Sequence, residues 1–190
     1  MLSRDNENWL RYDDAFLRPG PEWCDGWVYG DCYPALGFVE SPGMYPGSDN
    51  ELSFYLGARH ASLDHELLRR YTLRLDGFGS RYAGYKPETL VTKPFIFSGN
   101  TMTLNFATSA IGYVLVTLRD LDGNSICSCR LFCDRTDRIV DFDGDLAAFA
   151  GKPAQLEFSF ADADIYSFRF YTEESMEDLA DRLRSLQARY

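Results

Sequence analysis

Arg69–Gly84 reads RRYTLRLDGFGSRYAG. Tyr71, Leu73 and Leu75 alternate with Arg70, Thr72 and Arg74, a period of two that identifies a half-buried strand. Asp76-Gly77 then supplies the turn chemistry that ends it. All three tryptophans, Trp9, Trp23 and Trp27, lie on its N-terminal side. A series of short, evenly spaced strand patterns lies on the other. The stretch is therefore a joint between two unlike halves.

Working outward, strands are expected near 79–84, 90–97, 101–108, 112–119, 126–133, 154–160 and 165–171. The clearest alternations are Met102/Leu104/Phe106, Leu156/Phe158/Phe160 and Tyr166/Phe168/Phe170. Leu121-Asp122-Gly123-Asn124 has the composition of a hairpin turn between two of them. Short alternating strands at regular spacing specify a sandwich rather than a parallel sheet. On the N-terminal side, Gly26–Tyr33 is rich in aromatic and branched residues and is expected to be a strand. Glu51–Ala58 is another, with Leu52, Phe54 and Leu56 on one face; a long irregular passage separates the two.

Glu173–Tyr190 is expected to form a helix. Acidic residues Glu173, Glu174, Glu177 and Asp178 open it and Arg182, Arg184 and Arg189 close it, as the helix dipole favours. Met176, Leu179, Leu183, Leu186 and Tyr190 make a narrow apolar stripe, suited to docking on the protein's own sheet or on a partner helix. The expected architecture is all-β: an antiparallel β-sandwich over 77–172, an N-terminal sheet over 1–76 and a C-terminal α-helix over 173–190.

Composition excludes several functions. The net charge is −10 and the basic residues form no stripe, so nucleic acid is not an expected partner. No apolar run reaches the roughly 18 residues needed to cross a bilayer, and no membrane partner is expected. MLSRDNENW lacks the basic-then-apolar pattern of a secretory signal. Cys24, Cys32, Cys127, Cys129 and Cys133 are an odd set without framework spacing, which reads as thiols in a reducing, cytoplasmic compartment. Cys127, Cys129 and Cys133 lack the ligand count and knuckle spacing of a zinc site, and His60 and His65 are distant. No cofactor-binding fingerprint is present, and no cofactor is expected.

Several motifs resemble bacterial propeller glycosidases, relatives of the invertase and arabinanase enzymes. R-R-Y-x-L-R-x-D-G-F at the joint resembles the end of their catalytic propeller. Ser3, Asp5, Trp9 and Arg11 resemble the S-x-D-G-x-x-W-x-R hairpin that recurs in the blades, with Asn6 replacing the usual glycine. T-K-P-F at 92–95, S-G-N-x-x-x-L-N at 98–105, L-A-A-F-A-G-K-P at 146–153 and D-A-D-I-Y-S-F-R-F at 162–170 resemble the β-sandwich that follows the propeller. Together with the joint they cover most of the chain after residue 68. The resemblance implies that 1–76 is a remnant of the last blade. It also implies that the catalytic acids, which sit on earlier blades of such enzymes, are absent.

Glycoside hydrolysis needs two carboxylates facing each other across the scissile bond. The N-terminal half is rich in acids (Asp5, Asp13, Asp14, Glu22, Asp25, Asp31) interleaved with aromatic rings, a mixture that suits sugar binding. No catalytic residue is expected. Asp5, Trp9, Arg11, Trp23 and Trp27 are the candidate carbohydrate-binding residues. Asp141, Asp143 and Asp145 are a candidate calcium loop, set against a reading in which Asp145 caps a short helix at Leu146–Ala150. The expected function is a non-catalytic, carbohydrate-associated accessory module. The alternatives are a self-standing glycan-binding module and an assembly protein. The expected partners are a glycan, a second copy of the chain, or a polypeptide supplying the missing blades.

Overall fold

A computed structural model of the chain describes residues 1–3, 5–13, 15–17, 33–58 and 67–174. They fall into two units, Met1–Gly79 and Ser80–Tyr190. The described structure is almost entirely antiparallel β.

In the first unit, β1 (Leu2–Ser3) and β2 (Trp9–Leu10) form a small hairpin with Ser3 opposite Trp9. Asn6 turns it at φ 59°, a left-handed conformation that asparagine tolerates better than most residues. A separate sheet is centred on β5 (Glu51–Ala58). The short strands β3 (Tyr33–Pro34) and β4 (Val39–Ser41) share one edge of β5, and β6 (Leu67–Arg74) pairs along the other. The expected alternation holds: Leu52, Phe54 and Leu56 share a face, and Phe54 and Leu56 are buried. Phe54 lies opposite Tyr71 in register and their rings stack at 5.7 Å. The strand at the joint ends at Arg74, where the Gly77 amide donates to the Arg74 carbonyl at 2.9 Å. The strand expected over Gly26–Tyr33 lies, apart from Tyr33, outside the described residues.

The second unit is built on two very long strands, β10 (Thr101–Arg119) and β13 (Pro153–Tyr171), paired along their whole length. Three short strands precede them: β7 (Arg81–Ala83), β8 (Glu88–Val91) and β9 (Phe95–Ile96), all pairing with the outer side of β13. On the outer side of β10 lie β11 (Ser125–Leu131) and β12 (Asp134–Ile139). Inward residues of one long strand face inward residues of the other: Met102 opposite Phe170, Phe106 opposite Ile165, Val116 opposite Phe158, Leu118 opposite Leu156.

The ribbon is folded in half. Phe158 and Phe168 are ten positions apart on β13, which would separate them by about 33 Å on a straight strand, yet their ring centroids are 6.0 Å apart. The fold occurs where the register jumps from Thr108↔Ala163 to Tyr113↔Ala161, leaving Ser109–Gly112 opposite Asp162 alone. The Ser109 hydroxyl donates to the Asp162 carboxylate. It also accepts the Ile111 and Gly112 amides at 3.2 and 3.1 Å. Asp162 itself adopts φ 48°. Gly112 has no room for a side chain, since a Cβ there would stand 2.2 Å from the Asp162 carbonyl oxygen. Folding the ribbon closes its apolar face on itself, so both halves contribute to one core: Met102, Leu104 and Phe106 with Val114, Val116, Leu118, Leu156, Phe158 and Phe160. At the open ends, Phe97 stacks on Phe170 at 4.3 Å.

Two pairs of expected strands, 101–108 with 112–119 and 154–160 with 165–171, are thus each one bent strand. β12 was not expected from the sequence. Its DRTDRI carries no apolar alternation and lies largely exposed, and its strand form comes from pairing with β10. Its charged side chains suit a sheet edge, which natural proteins protect against pairing with other chains. Arg119 bridges the two long strands, donating from Nε and Nη2 to the Glu157 carboxylate at 2.9 Å each. The turn at Leu121–Asn124 is closed by the Gly123 amide donating to the Asp120 carbonyl at 3.2 Å. The expected short helix is a 3-10 turn at Ala147–Phe149, and the Asp145 carboxylate accepts the Ala148 amide at 3.2 Å. Glu173 and Glu174, expected to open the C-terminal helix, are not helical. The Glu173 amide donates to Asn100 Oδ1 at 2.8 Å, and the rest of the expected helix lies outside the described residues.

Candidate functional site

Three of the residues singled out in the sequence lie on or next to the β1–β2 hairpin: Asp5 in its turn, Trp9 on β2 and Arg11 just after it. Asp5 Oδ1 accepts the Ser3 hydroxyl at 3.1 Å, the Glu7 amide at 3.0 Å and the Asn8 amide at 2.8 Å. Asp5 Oδ2 accepts the Asn8 side-chain amide at 2.7 Å. Four donors of the turn therefore converge on this one carboxylate, three on Oδ1 and one on Oδ2. The Asn8 side chain, then the Asn8 and Glu7 backbone amides, hold the Asp5 carboxyl well below the usual carboxylate range. A group held in this way is a structural anion, a poor proton donor and a poor nucleophile.

Trp9 lies directly across from Ser3 and is 55% exposed, so its ring has a face available to a ligand. Trp23 and Trp27 lie outside the described residues, as do His60, His65, Cys24 and Cys32.

In the same unit, Phe16, Phe38 and Phe78 surround buried Phe54. Phe16 stacks on Phe54 at 6.0 Å and on Phe78 at 5.9 Å. Phe38 meets Phe54 at 5.4 Å and Phe78 edge-on at 5.3 Å. Each of the three outer rings is about half exposed. Sequence reading did not single them out, because they come from three separate segments with no shared period. The other face of this sheet holds a polar group that was also not anticipated. Buried Ser53 shares a 2.7 Å hydrogen bond with the Ser41 hydroxyl and accepts Arg70 Nε at 2.8 Å. Arg70 Nη2 reaches Ser41 at 3.1 Å and Glu51 at 3.4 Å. This arrangement satisfies a buried hydroxyl and ties β4, β5 and β6 together.

The acidic cluster of the second unit is divided among separate partners. Asp143 accepts the Ser128 amide at 2.6 Å and the Ser128 hydroxyl at 2.9 Å, which lowers its proton affinity. Asp145, just ahead of the 3-10 turn, accepts the Ala148 amide, and Asp141 lies 3.5 Å from Arg138. Among the described residues, no group of three or more His, Cys, Asp or Glu side chains is placed to hold a metal ion.

None of Cys127, Cys129 and Cys133 forms a disulfide. Burial first, then the charges of Asp143 and Asp145, push the Cys127 thiol up to about 11. Because the thiolate is the reactive form, Cys127 is expected to resist alkylation at pH 8 in the folded protein and to label rapidly in urea. Peptide mass mapping checks this; rapid native labelling of Cys127 would contradict the burial argument.

The chain matches no family model, no curated protein and no solved structure.

Proposed function

We propose that this protein is a non-catalytic, carbohydrate-associated module in which a blade-like sheet accompanies a β-sandwich. The observation that carries the reading is the contrast within the hairpin. Of its two carboxylates, Asp5 is engaged by turn donors, so that with Glu7 it makes no unengaged pair, while the neighbouring Trp9 ring is presented to solvent. Sugars bind through C–H faces stacked on aromatic rings, whereas their hydrolysis needs an unengaged pair of carboxylates. The hairpin offers the first and withholds the second. The glycosidase resemblance of Ser3, Asp5, Trp9 and Arg11 points to the same ligand class.

A glycan array probed with the full chain should give saturable binding, and Trp9→Ala should weaken it roughly tenfold, as loss of an aromatic anchor does. Hydrolysis of aryl-glycosides should be absent. Robust turnover lost on substitution of Asp5, Asp25 or Asp31 would overturn the proposal, and so would an array without binding.

A second reading, assembly with another copy, is favoured by one observation. Leu36, Val39, Met44 and Tyr45, on and around the outer strand β4, are all more than half exposed. Apolar side chains on an edge strand invite pairing with another chain. A monodisperse monomer in light scattering would count against it.

A further inference from the structure

The folded end of the sandwich presents a set of apolar side chains that the core does not use. Ile111 lies in the unpaired stretch of the bend and is 75% exposed; Phe132, in the turn between β11 and β12, is 77% exposed. Tyr82 and Tyr85, on β7 and the loop after it, are 66% and 83% exposed. Backbone hydrogen bonds hold these segments against the bend from both sides. The Thr108 amide donates to the Cys133 carbonyl at 2.9 Å, beside Phe132, and the Asp162 amide donates to the Gly84 carbonyl at 2.7 Å, beside Tyr85. The bend itself is fixed by Ser109, Gly112 and Asp162 as described above. The tips are thus carried on well-supported backbone.

We propose that this end of the sandwich is a membrane-surface contact, in which Ile111 and Phe132 enter the acyl region of a bilayer with neutral headgroups and Tyr82 and Tyr85 rest at headgroup level. Side chains exposed to this degree leave most of their apolar surface in water. Their best partner is one that is apolar over a broad area and yields around them, as lipid does. Ile111 and Phe132 carry no polar atom with which to recognise a sugar hydroxyl. Tyrosine, with an apolar ring and a polar tip, is the residue type that settles at a membrane interface.

Charge selects the headgroup. Arg81, Lys86, Arg130 and Arg135 are balanced at this end by Glu88, Asp134, Asp162 and Asp164. Asp162 and Asp164 accept the hydroxyls of Ser109 and Ser80, and Arg130 lies 4.0 Å over the Tyr113 ring. With no cationic excess here and a net charge of −10 on the chain, an anionic surface gains nothing over a zwitterionic one. Among the described residues, no helix is long and apolar enough to cross a membrane. Insertion of loop tips leaves no such signature, which is why the sequence pointed away from a membrane partner.

The test is flotation of the full-length chain with phosphatidylcholine vesicles. Wild type should co-float, with binding retained in 0.5 M salt (about 0.5 M suffices to screen exposed charges). Ile111→Asp and Phe132→Asp should each reduce the bound fraction roughly tenfold or more, the loss expected when a buried apolar side chain is exchanged for a charge. Ile111→Ser should give a smaller loss in the same direction. Leu121→Asp is the control. Leu121 is also exposed, but it sits in the turn just after the C-terminal end of β10, about 25 Å from the bend by strand rise, and its substitution should leave binding unchanged. Thermal melts of each variant matching wild type confirm that the fold is intact. Failure of wild type to float, binding confined to anionic vesicles and lost in salt, or an equal loss in Leu121→Asp would each overturn the proposal.

Discussion

Phe106→Ala is expected to cost the sandwich about 3–5 kcal/mol, the range for emptying a fully buried phenylalanine site. Phe106 is completely inaccessible to solvent. It lies opposite Ile165 on β13 and Arg135 on β12, close to the bend. The surrounding side chains come from two long paired strands that cannot shift independently, so the site has little freedom to collapse. Against a typical total stability of about 5–15 kcal/mol, the loss should appear in urea as a large fall in midpoint with little change in slope. Phe132→Ala is the matched comparison: the same side chain, but exposed, and expected to stay within about 0.5 kcal/mol of wild type. A loss below about 1 kcal/mol for Phe106→Ala would mean that the two halves of the ribbon do not share a close-packed core.

Gly112→Ala is the second large effect, with a different cause. The added Cβ would meet the carbonyl oxygens of Asp162 at 2.2 Å and Ala161 at 3.0 Å. Both are backbone atoms of the paired strand, so no side-chain rotation relieves the clash and the bend must open. We expect a loss of about 3 kcal/mol, at the upper end of the range for overpacking, measured by the same urea titration. Gly123→Ala separates space from conformation. Gly123 has φ 88° but open space around its Cβ position, so alanine there should cost only about 1–2 kcal/mol of left-handed backbone strain. Asparagine, which tolerates that conformation, should recover part of the loss at 123 and none at 112. Equal behaviour of the two sites would contradict the steric reading of the bend.

A variant that opens the bend should also displace Ile111 and the segments bonded beside it. Gly112→Ala is therefore expected to weaken flotation although it removes no apolar tip.

Much of the fold was legible in the sequence. The alternations at Met102–Phe106 and Leu156–Phe160 name the apolar core residues correctly, because successive side chains of a strand point to opposite faces; on β10 the other face, Thr101, Thr103 and Asn105, is buried too but polar. Asp76-Gly77 and Asp122-Gly123 mark turns through backbone preferences that are local to the residues themselves. The bond from the Ala148 amide to Asp145 is likewise local, although the turn it serves is 3-10 and its N-cap is Leu146. β12 was not legible, since a charged edge strand owes its form to its neighbour rather than to its own pattern.

The candidate residues divide in the same way. The hairpin of Ser3, Asp5 and Trp9 lies within a few positions of sequence, and its hydrogen bonds are local. The Phe16, Phe38 and Phe78 rings, the Ser53–Arg70 group and the Ile111/Phe132/Tyr85 tips each gather residues from distant segments. No period or spacing announces them.

By itself, then, the sequence determined most of the strand residues outside β12, the apolar faces of β5 and of the Met102–Phe106 and Leu156–Phe160 stretches, and the turns at Asp76-Gly77 and Asp122-Gly123, because these depend on side chains within a few positions of one another. Only the tertiary structure decided that four expected strands are two, that the resulting ribbon folds at Ser109–Gly112 against Asp162, and that this fold leaves Ile111, Phe132, Tyr82 and Tyr85 outside. Continuing through the bend keeps the apolar faces of both halves in register, and closing those faces on each other removes them from water. That gain comes from contacts between residues far apart in the chain, and a linear pattern does not record them.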